Sequence, residues 1–333
     1  MHPTLSIITP VKNAAPWLAG CIQSGLGQNY QDWEWIFVDD HSTDNSAAII
    51  AEFTGKDSRI KLFSNAGQGI IPALQQALSE SSGHFITRMD ADDLMPPGRL
   101  EKMRGRLQGL PPKTVVTGLV EYFSEAEVSP GYHKYQNWLN GILREGRHWE
   151  NIYRECVVAS PNWMMRRDEL IKTGGFDGLE YPEDYDLVFR WYKNDFKIGL
   201  IPQVTLHWRE HPGRTSRLSK HYNQKAFFRL KVQRFLELDY DSGKTLCLWG
   251  TGIKGKLSAK ILRQAGVDFH WMGYFNDAER LINGNKVWSY QKIEDIKNPQ
   301  LLLAIYPTGK YWTELQKYLG QIALNKAEDY WFL

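Results

Sequence analysis

The sequence predicts an α/β protein in two units, a larger one over residues 1–240 with a mostly parallel sheet covered by helices on both faces, and a smaller one over residues 241–333. Three observations predict it. Short apolar runs rich in β-branched and aromatic residues alternate with helical patterns. Successive runs of the first kind end in acidic or polar residues. The alternation then breaks at residues 239–243 and restarts on a glycine-rich turn. A length of 333 residues leaves room for two domains. A composition of 42% hydrophobic and 23% charged residues excludes disorder, collagen and coiled coil.

Residues 5–9 and 33–38 read as strands around a helix marked by Trp17, Leu18, Cys21, Ile22 and Leu26. Helices at 46–53 and 70–78 and strands at 60–63 and 84–88 continue the pattern. Sequential units of this kind form a parallel sheet, whose ligands bind at the carboxyl ends of the strands. Pro10, Lys12 and Asn13 follow the first strand, Asp39, Asp40 and Asp44 the second, and Asp90, Asp92 and Asp93 the fourth. A single acid in such a place reads equally as a helix N-cap, and Asp44 or Ser46 has that alternative. A cap needs one side chain, whereas clustered carboxylates repel, so the trio at 90–93 points to a divalent cation.

Farther on, residues 160–166 read as a strand. Glu183, Asp184 and Asp186 open a helix carrying Leu187, Val188 and Trp191. The helix dipole favours acids there, so electrostatic capping is the alternative for Glu183 and Asp186. A strand at 197–206 leads into His207, Arg209, His211, Arg214 and Arg217, then a basic helix with Phe227, Phe228, Leu230, Phe235 and Leu236 on its apolar positions.

The net charge of +2 conceals an uneven distribution, because residues 205–234 hold eight Lys and Arg against one acid. Such a stretch invites an anionic partner. No run of about 18 apolar residues occurs and no basic region precedes the first apolar run, so neither a membrane span nor a signal peptide is expected. The expected location is the cytoplasm. Cys21, Cys156 and Cys247 are far apart, without a C-x-x-C pair, and read as buried small hydrophobes.

In the smaller unit, Gly250, Gly252 and Gly255 form a G-x-G-x-x-G turn between a strand at 245–249 and a helix at 256–264. A second strand at 269–275 ends in Asn276 and Asp277, and further strands are expected at 301–306 and near Tyr330. This is the pattern of a small Rossmann-like domain. It supplies half of the usual doubled unit, so full dinucleotide binding is not expected. Three readings stay open: a nucleotide-sugar or phosphate site at the turn, a homo-oligomer or partner module, and a turn whose glycines serve helix packing.

Taken in order, residues 5–13, 37–44, 88–93 and 183–186 resemble the motifs of the family 2 inverting glycosyltransferases of GT-A fold. The resemblance covers residues 3–240. It implies a GT-A fold, a nucleotide-sugar donor and a glycan or lipid-linked acceptor, with a place in surface polysaccharide assembly. It also implies that Asp40 contacts the nucleobase, that Asp90 and Asp92 contact the ribose and a metal, and that Asp184 is the catalytic base, with Glu183 second. His211 matches a position where the family often carries a histidine after the last sheet strand, and from there it would reach the metal or diphosphate. Pro10, Lys12, Asn13 and Arg88 fall within the donor-binding motifs. The family usually has tyrosine where this chain has Lys12, which takes away the presumption of a uridine nucleotide and lets a lysine approach phosphate instead.

The chemistry supports these roles. Mn²⁺ or Mg²⁺ prefers carboxylate and phosphate oxygens, so a cation on Asp92 would bridge to the donor diphosphate and neutralise the leaving group. One carboxylate is then needed to take the proton of the acceptor hydroxyl, and Asp184 is placed for it. Arg209, Arg214 and Arg217 would contact phosphate oxygens. Lys220, Lys225 and Lys231 fit a solvated basic face, and adhesion to anionic lipid is a third use of the stretch. Trp163 and Trp191 are candidates for stacking on sugar, with a core role as the alternative. No nucleic-acid partner is expected. A catalytically inactive nucleotide-sugar binding or scaffold protein is the alternative function. A nucleotidyltransferase is disfavoured, because no Gly-rich turn bearing Lys or Arg follows the first strand.

Overall fold

The computed structural model describes residues 3–275, 279–282 and 284–333; Met1 and His2, and the Asn276 and Asp277 expected at a strand end, lie outside them. In chain order the elements of the larger unit are β1 (Leu5–Val11), α1 (Ala15–Leu26), β2 (Trp33–Asp39), α2 (Ser46–Thr54), β3 (Ile60–Ser64), α3 (Ile70–Glu80) and β4 (Phe85–Arg88). They continue with α4 (Arg99–Gln108), β5 (Thr114–Phe123), α5 (Pro130–Glu145), β6 (Met164–Arg166), α6 (Arg167–Lys172), α7 (Glu183–Lys193) and β7 (Lys197–Arg209). The smaller unit carries α8 (Thr215–Leu218), α9 (Gln224–Leu238), β8 (Thr245–Trp249), α10 (Ile253–Gln264), β9 (His270–Met272), β10 (Arg280–Ile282), β11 (Asn285–Trp288), β12 (Pro299–Leu303), α11 (Lys310–Gln321) and β13 (Tyr330–Phe332). By internal contacts the units are Met1–His148 with Val157–Arg214, and Trp149–Cys156 with Thr215–Leu333.

The sheet of the larger unit has the order β3-β2-β1-β4-β6-β5-β7, with β6 alone antiparallel to its neighbours. β1, β2 and β4 are buried along nearly their whole length, as parallel strands covered on both faces must be. In α1, Leu18, Cys21, Ile22 and Gly25 form the buried stripe, at helical spacing. In α7 the acids Glu183, Asp184 and Asp186 occupy the first turn and Arg190 and Lys193 the last, which suits the dipole at both ends.

β6 is short and meets β5 only at Met164 opposite Val116. Beyond that point side chains replace the ladder: the Thr87, Thr117 and Arg99 side chains donate to the carbonyls of Trp163, Asn162 and Pro161 at 2.5, 2.5 and 2.6 Å. On the same open edge α5 docks on β5, as Asn140 bonds both backbone groups of Val120 (2.9 and 2.8 Å) and Gln136 accepts from the Tyr122 amide (2.6 Å). Buried backbone groups need such partners, which explains why polar residues sit on the inner face of α5.

The smaller unit has the order β10-β11-β9-β8-β12-β13, parallel except for the β10–β11 hairpin. Trp249 stacks on Tyr290 with ring centroids 5.1 Å apart, inside a core that includes Phe275, Leu315 and Tyr318. Tyr153 packs edge-on against Phe235 (5.7 Å) and Trp331 (6.5 Å), which ties residues 149–156 and α9 into this unit. Gly250 has φ +131°, and a Cβ on Gly255 would lie 1.9 Å from the Gly250 carbonyl oxygen, whereas one on Gly252 would meet open space. Lys231, expected on a solvated face, is buried instead, and its ammonium donates to the Arg154 carbonyl at 2.6 Å. Among the described residues no helix is long and apolar enough to cross a membrane.

Candidate active site

The carboxyl ends of β1, β2 and β4 bring together three of the four sequence motifs. After β2, the buried Asp40 accepts from Asn65 Nδ2 (2.7 Å) and the Gly69 amide (2.8 Å) on one oxygen and from Lys12 Nζ (3.1 Å) on the other. Burial works against ionisation, but these donors and the lysine charge outweigh it and hold the carboxyl below its usual range. Lys12 is half exposed and also donates to the Asp40 carbonyl at 3.0 Å, so in this structure its ammonium is spent on Asp40. Pro10 lies within β1, opposite Val38.

Asn13 has φ +51° and fastens the turn after β2, accepting from the Thr43 amide at 2.8 Å while its own amide donates to Ser42 Oγ at 2.9 Å. Asp44 accepts from the amides of Ala15 (3.0 Å) and Ser46 (2.9 Å), the first residues of α1 and α2. Its role is to tie two helix starts together.

After β4, the buried Arg88 joins two motifs. Its Nε donates to Asp90 Oδ1 at 2.7 Å, and its Nη1 lies 3.3 Å from Glu183 Oε1 at the start of α7. Burial pushes the Asp90 carboxyl up, with Arg88 pulling against it and the Asp92 charge adding to it; the net shift is upward. Asp184 is half-buried, and burial together with the adjacent Glu183 charge pushes it up to about 7. Asp186 turns away and accepts from the Glu180 amide at 2.8 Å.

β7 closes the site from the other side. A two-bond bridge between Leu94 and His207 (3.1 Å each) docks the loop after Asp93 on β7. The Arg209 amide then donates to Asp93 Oδ1 (2.7 Å) and its Nε to the Asp92 carbonyl (2.7 Å). Two residues on, His211 Nε2 lies 2.9 Å from Asp92 Oδ2, with the Trp17 ring 3.7 Å from the imidazole. Burial alone would raise Asp92, but the His211 hydrogen bond and the Arg214 charge outweigh it and keep it ionised. Asp93 goes the other way: burial and the Asp92 charge push it well above the carboxylate range.

Arg214 sits among aromatic rings, 5.1 Å from the Trp208 centroid and 5.9 Å from that of Tyr132. Arg209 lies over Phe123 at 4.4 Å, and its Nη1 is 3.5 Å from Glu125. Arg217 belongs to α8 of the smaller unit.

Residues 6–174 match the model of glycosyl transferase family 2, which is half of the chain. The chain belongs to that family. Glycosyltransferase GlyG of Streptococcus pneumoniae is 30% identical over 222 residues, 64% of this chain and 73% of the relative. TarS 1–349 of S. aureus, solved with UDP-GlcNAc, shares the fold at TM-score 0.55 and 17% identity over 79% of this chain and 72% of its own. The mannosyltransferase PcManGT of Pyrobaculum calidifontis, solved with GDP-Man and Mn²⁺, has a TM-score of 0.52 and 19% identity over 71% of this chain and 64% of its own. The fold of this family 2 glycosyltransferase is therefore GT-A, as its motifs imply.

Several residues that meet the candidate site carry no functional signal in the sequence. Asn65 and Gly69, which both donate to one oxygen of Asp40, carry no motif signal beyond a turn. Trp17, the ring against His211, reads in sequence as a helix core residue. Arg99 is fully buried beneath the Asp90–Asp93 loop, where burial lowers it to about 10. Trp163 and Trp191, candidates for sugar stacking, pack on each other at 5.5 Å and are fully buried, so they belong to the core.

Proposed function

We propose that this glycosyltransferase is metal-dependent and inverting, and passes one sugar from a nucleoside diphosphate donor to an acceptor hydroxyl. The observation that carries this reading is the pair Asp92–His211, held beside the Arg88–Asp90–Glu183 bridge and Asp184 at one edge of the sheet.

The pair fits a cation. His211 Nε2 and Asp92 Oδ2 stand 2.9 Å apart, and an imidazole nitrogen beside a carboxylate oxygen is a donor set that would hold a divalent cation. An ionised carboxylate and an imidazole suit Mn²⁺, and a carboxylate with phosphate oxygens suits Mg²⁺. Among the described residues no three His, Cys, Asp or Glu side chains converge on one point, so the donor diphosphate would complete the shell. When bound, the ion supplies charge neutralisation to the departing diphosphate. Asp92 and His211 would hold it.

The chain's own groups do the rest. Asp40, fixed by three donors, presents a carboxylate to the nucleobase, and Pro10, Lys12 and Asn13 form the adjoining wall. Arg88 keeps Asp90 turned towards the ribose. Arg209 holds the carbonyl of Asp92, and Arg214 adds positive charge beside the diphosphate. Asp184, raised to about 7, is suited to accept a proton near neutral pH, and serves as the base for the acceptor hydroxyl. Glu183 is engaged by Arg88 and supports Asp184 rather than replacing it.

Family membership supports an acceptor that is a glycan or a lipid-linked sugar in surface polysaccharide assembly. The basic stretch after β7 supports peripheral contact with an anionic membrane face. The test is a screen of UDP- and GDP-sugars for release of nucleoside diphosphate with and without Mn²⁺. Release that requires the metal upholds the reading, and the absence of release from every donor with metal present would refute it.

A further inference from the structure

The sheet of the smaller unit changes direction at β8. From β8 the chain passes to β9 on one side, and later to β12 and β13 on the other. In parallel sheets the crevice at the carboxyl ends of two such strands is where ligands bind. Here those ends carry the G-x-G-x-x-G turn after β8 and residues 304–306 after β12. Gly250 lets the two come together, since a Cβ there would lie 2.8 Å from Ile305 Cγ2 and 2.9 Å from the Ala304 carbonyl oxygen.

Three cations meet at this crevice. The ammonium of Lys254, inside the turn, lies 4.6 Å from the Tyr306 ring centroid, and the Arg154 guanidinium lies 5.0 Å from the same ring. Lys254 and Lys231 share the Phe228 ring in the same way, at 5.7 and 5.0 Å. Glu155 opposes them, 3.9 Å from Lys231 Nζ. Burial pushes the buried Lys231 down, and the Lys254 and Arg154 charges add to that against Glu155; burial and Arg154 lower Lys254 likewise. Among the described residues the Lys254 ammonium meets rings and no ion-pair partner. Lys254, Arg154 and Tyr306 are half-buried and Gly252 is exposed, so solvent reaches the group.

We propose that Arg154, Lys231 and Lys254 form an anion site in the smaller unit that takes a phosphate group, either free or carried by a nucleotide. Like charges drawn together away from water raise each other's energy, and an opposite charge relieves them. Three cations against the carboxylate of Glu155 leave an excess of two, which matches a phosphate at about −1.5 to −2 near pH 7 rather than a carboxylate. The donor types also suit phosphate, because an arginine fork takes two of its oxygens and a lysine acts as a point charge. The turn leaves room for the group: a Cβ on Gly252 would meet open space, and the first amides of α10 add donors beside Lys254. All three cations belong to the smaller unit, so this site is separate from the Asp40 and Asp92–His211 site of the larger one.

The test is calorimetric titration of the full-length chain, in chelator and a phosphate-free buffer, with inorganic phosphate, AMP and UMP. Saturable binding of at least one is expected. Lys254→Gln and Arg154→Gln should each weaken it by about ten-fold or more, and Lys254→Arg should retain most of it, since a hydrogen bond to a charged group is lost in the first two and kept in the third. Tighter binding of a mononucleotide than of phosphate would make a nucleotide the source of the group, and equal binding would make it free phosphate. Thermal midpoints near that of the wild type confirm that the variants are folded. No saturation by any of the three at millimolar concentration, or binding unchanged in both glutamine variants, would overturn the proposal.

Discussion

His211 Nε2 lies 2.9 Å from Asp92 Oδ2 although 119 residues separate them. Neither contact nor distance follows from either residue alone. The Leu94–His207 bridge sets the register between the acidic loop and β7, and Arg209 then fixes both Asp92 and Asp93 through its side chain and amide. His211 arrives where the chain leaves β7, with Trp17 against its ring.

Trp17 orients the imidazole in place of a hydrogen bond, since His211 Nδ1 is buried with no partner among the described residues. Partners that orient metal-binding histidines are worth about 10–100-fold in affinity. Trp17→Ala should therefore weaken Mn²⁺ binding, measured calorimetrically with a nucleoside diphosphate present, by about that factor, and Trp17→Phe by less. Equal affinity in all three proteins would remove Trp17 from the account.

Arg88 is the buried counter-charge of both Asp90 and Glu183. Removing one partner of a buried ion pair typically costs about 3–5 kcal/mol. Arg88→Ala should lose stability of that order in urea denaturation, and Arg88→Lys should recover part of it. A loss within the range of an exposed pair, below about 1 kcal/mol, would show that the bridge is not held in solution.

Asp184 titrates near 7 because of its burial and the neighbouring Glu183 charge. Below that pH it carries the proton and cannot accept another, so kcat/KM should rise as pH increases through about 7 and level off above it. Asp184→Asn should abolish that rise and lower kcat by about 10²–10⁴-fold. A profile that keeps the same midpoint in the variant would assign the base elsewhere.

The three glycines of the turn after β8 are not equivalent. Gly255→Ala places a methyl 1.9 Å from the Gly250 oxygen and should cost about 1–3 kcal/mol in thermal or urea unfolding. Gly252→Ala enters open space and should stay within about 0.5 kcal/mol. Equal losses would mean that the turn relaxes.

The strands whose ends carry the site were legible because parallel strands covered on both faces are continuous apolar runs, and their polar ends stand out: Asp40 after residues 33–38, Asp90 after 84–88. The helix start that carries Asp184 was legible too, from the acids at its head and the apolar positions that follow. What pairs with what was not. Lys12 reads in sequence as a lysine able to approach phosphate and donates to Asp40 in the fold, and Lys231 reads as solvated and is buried, because both outcomes depend on elements distant in the chain. Residues 94–159, with α4, β5 and α5, carry no motif, and the docking of α5 through Gln136 and Asn140 depends on the edge of β5 that the short β6 leaves open. Trp163 and Trp191 carry both a stacking and a core reading in sequence, and their mutual packing in the fold selects the core.

The central claim is that Asp92 and His211 hold a divalent cation required for transfer. The most direct measurement is the release of nucleoside diphosphate from the preferred donor after treatment with a chelator, with and without added Mn²⁺, for the wild type, Asp92→Ala and His211→Ala. The wild type should lose its turnover in chelator and regain it with Mn²⁺, and neither variant should be restored. Full turnover in chelator, or restoration of Asp92→Ala to the wild-type rate, would contradict the account.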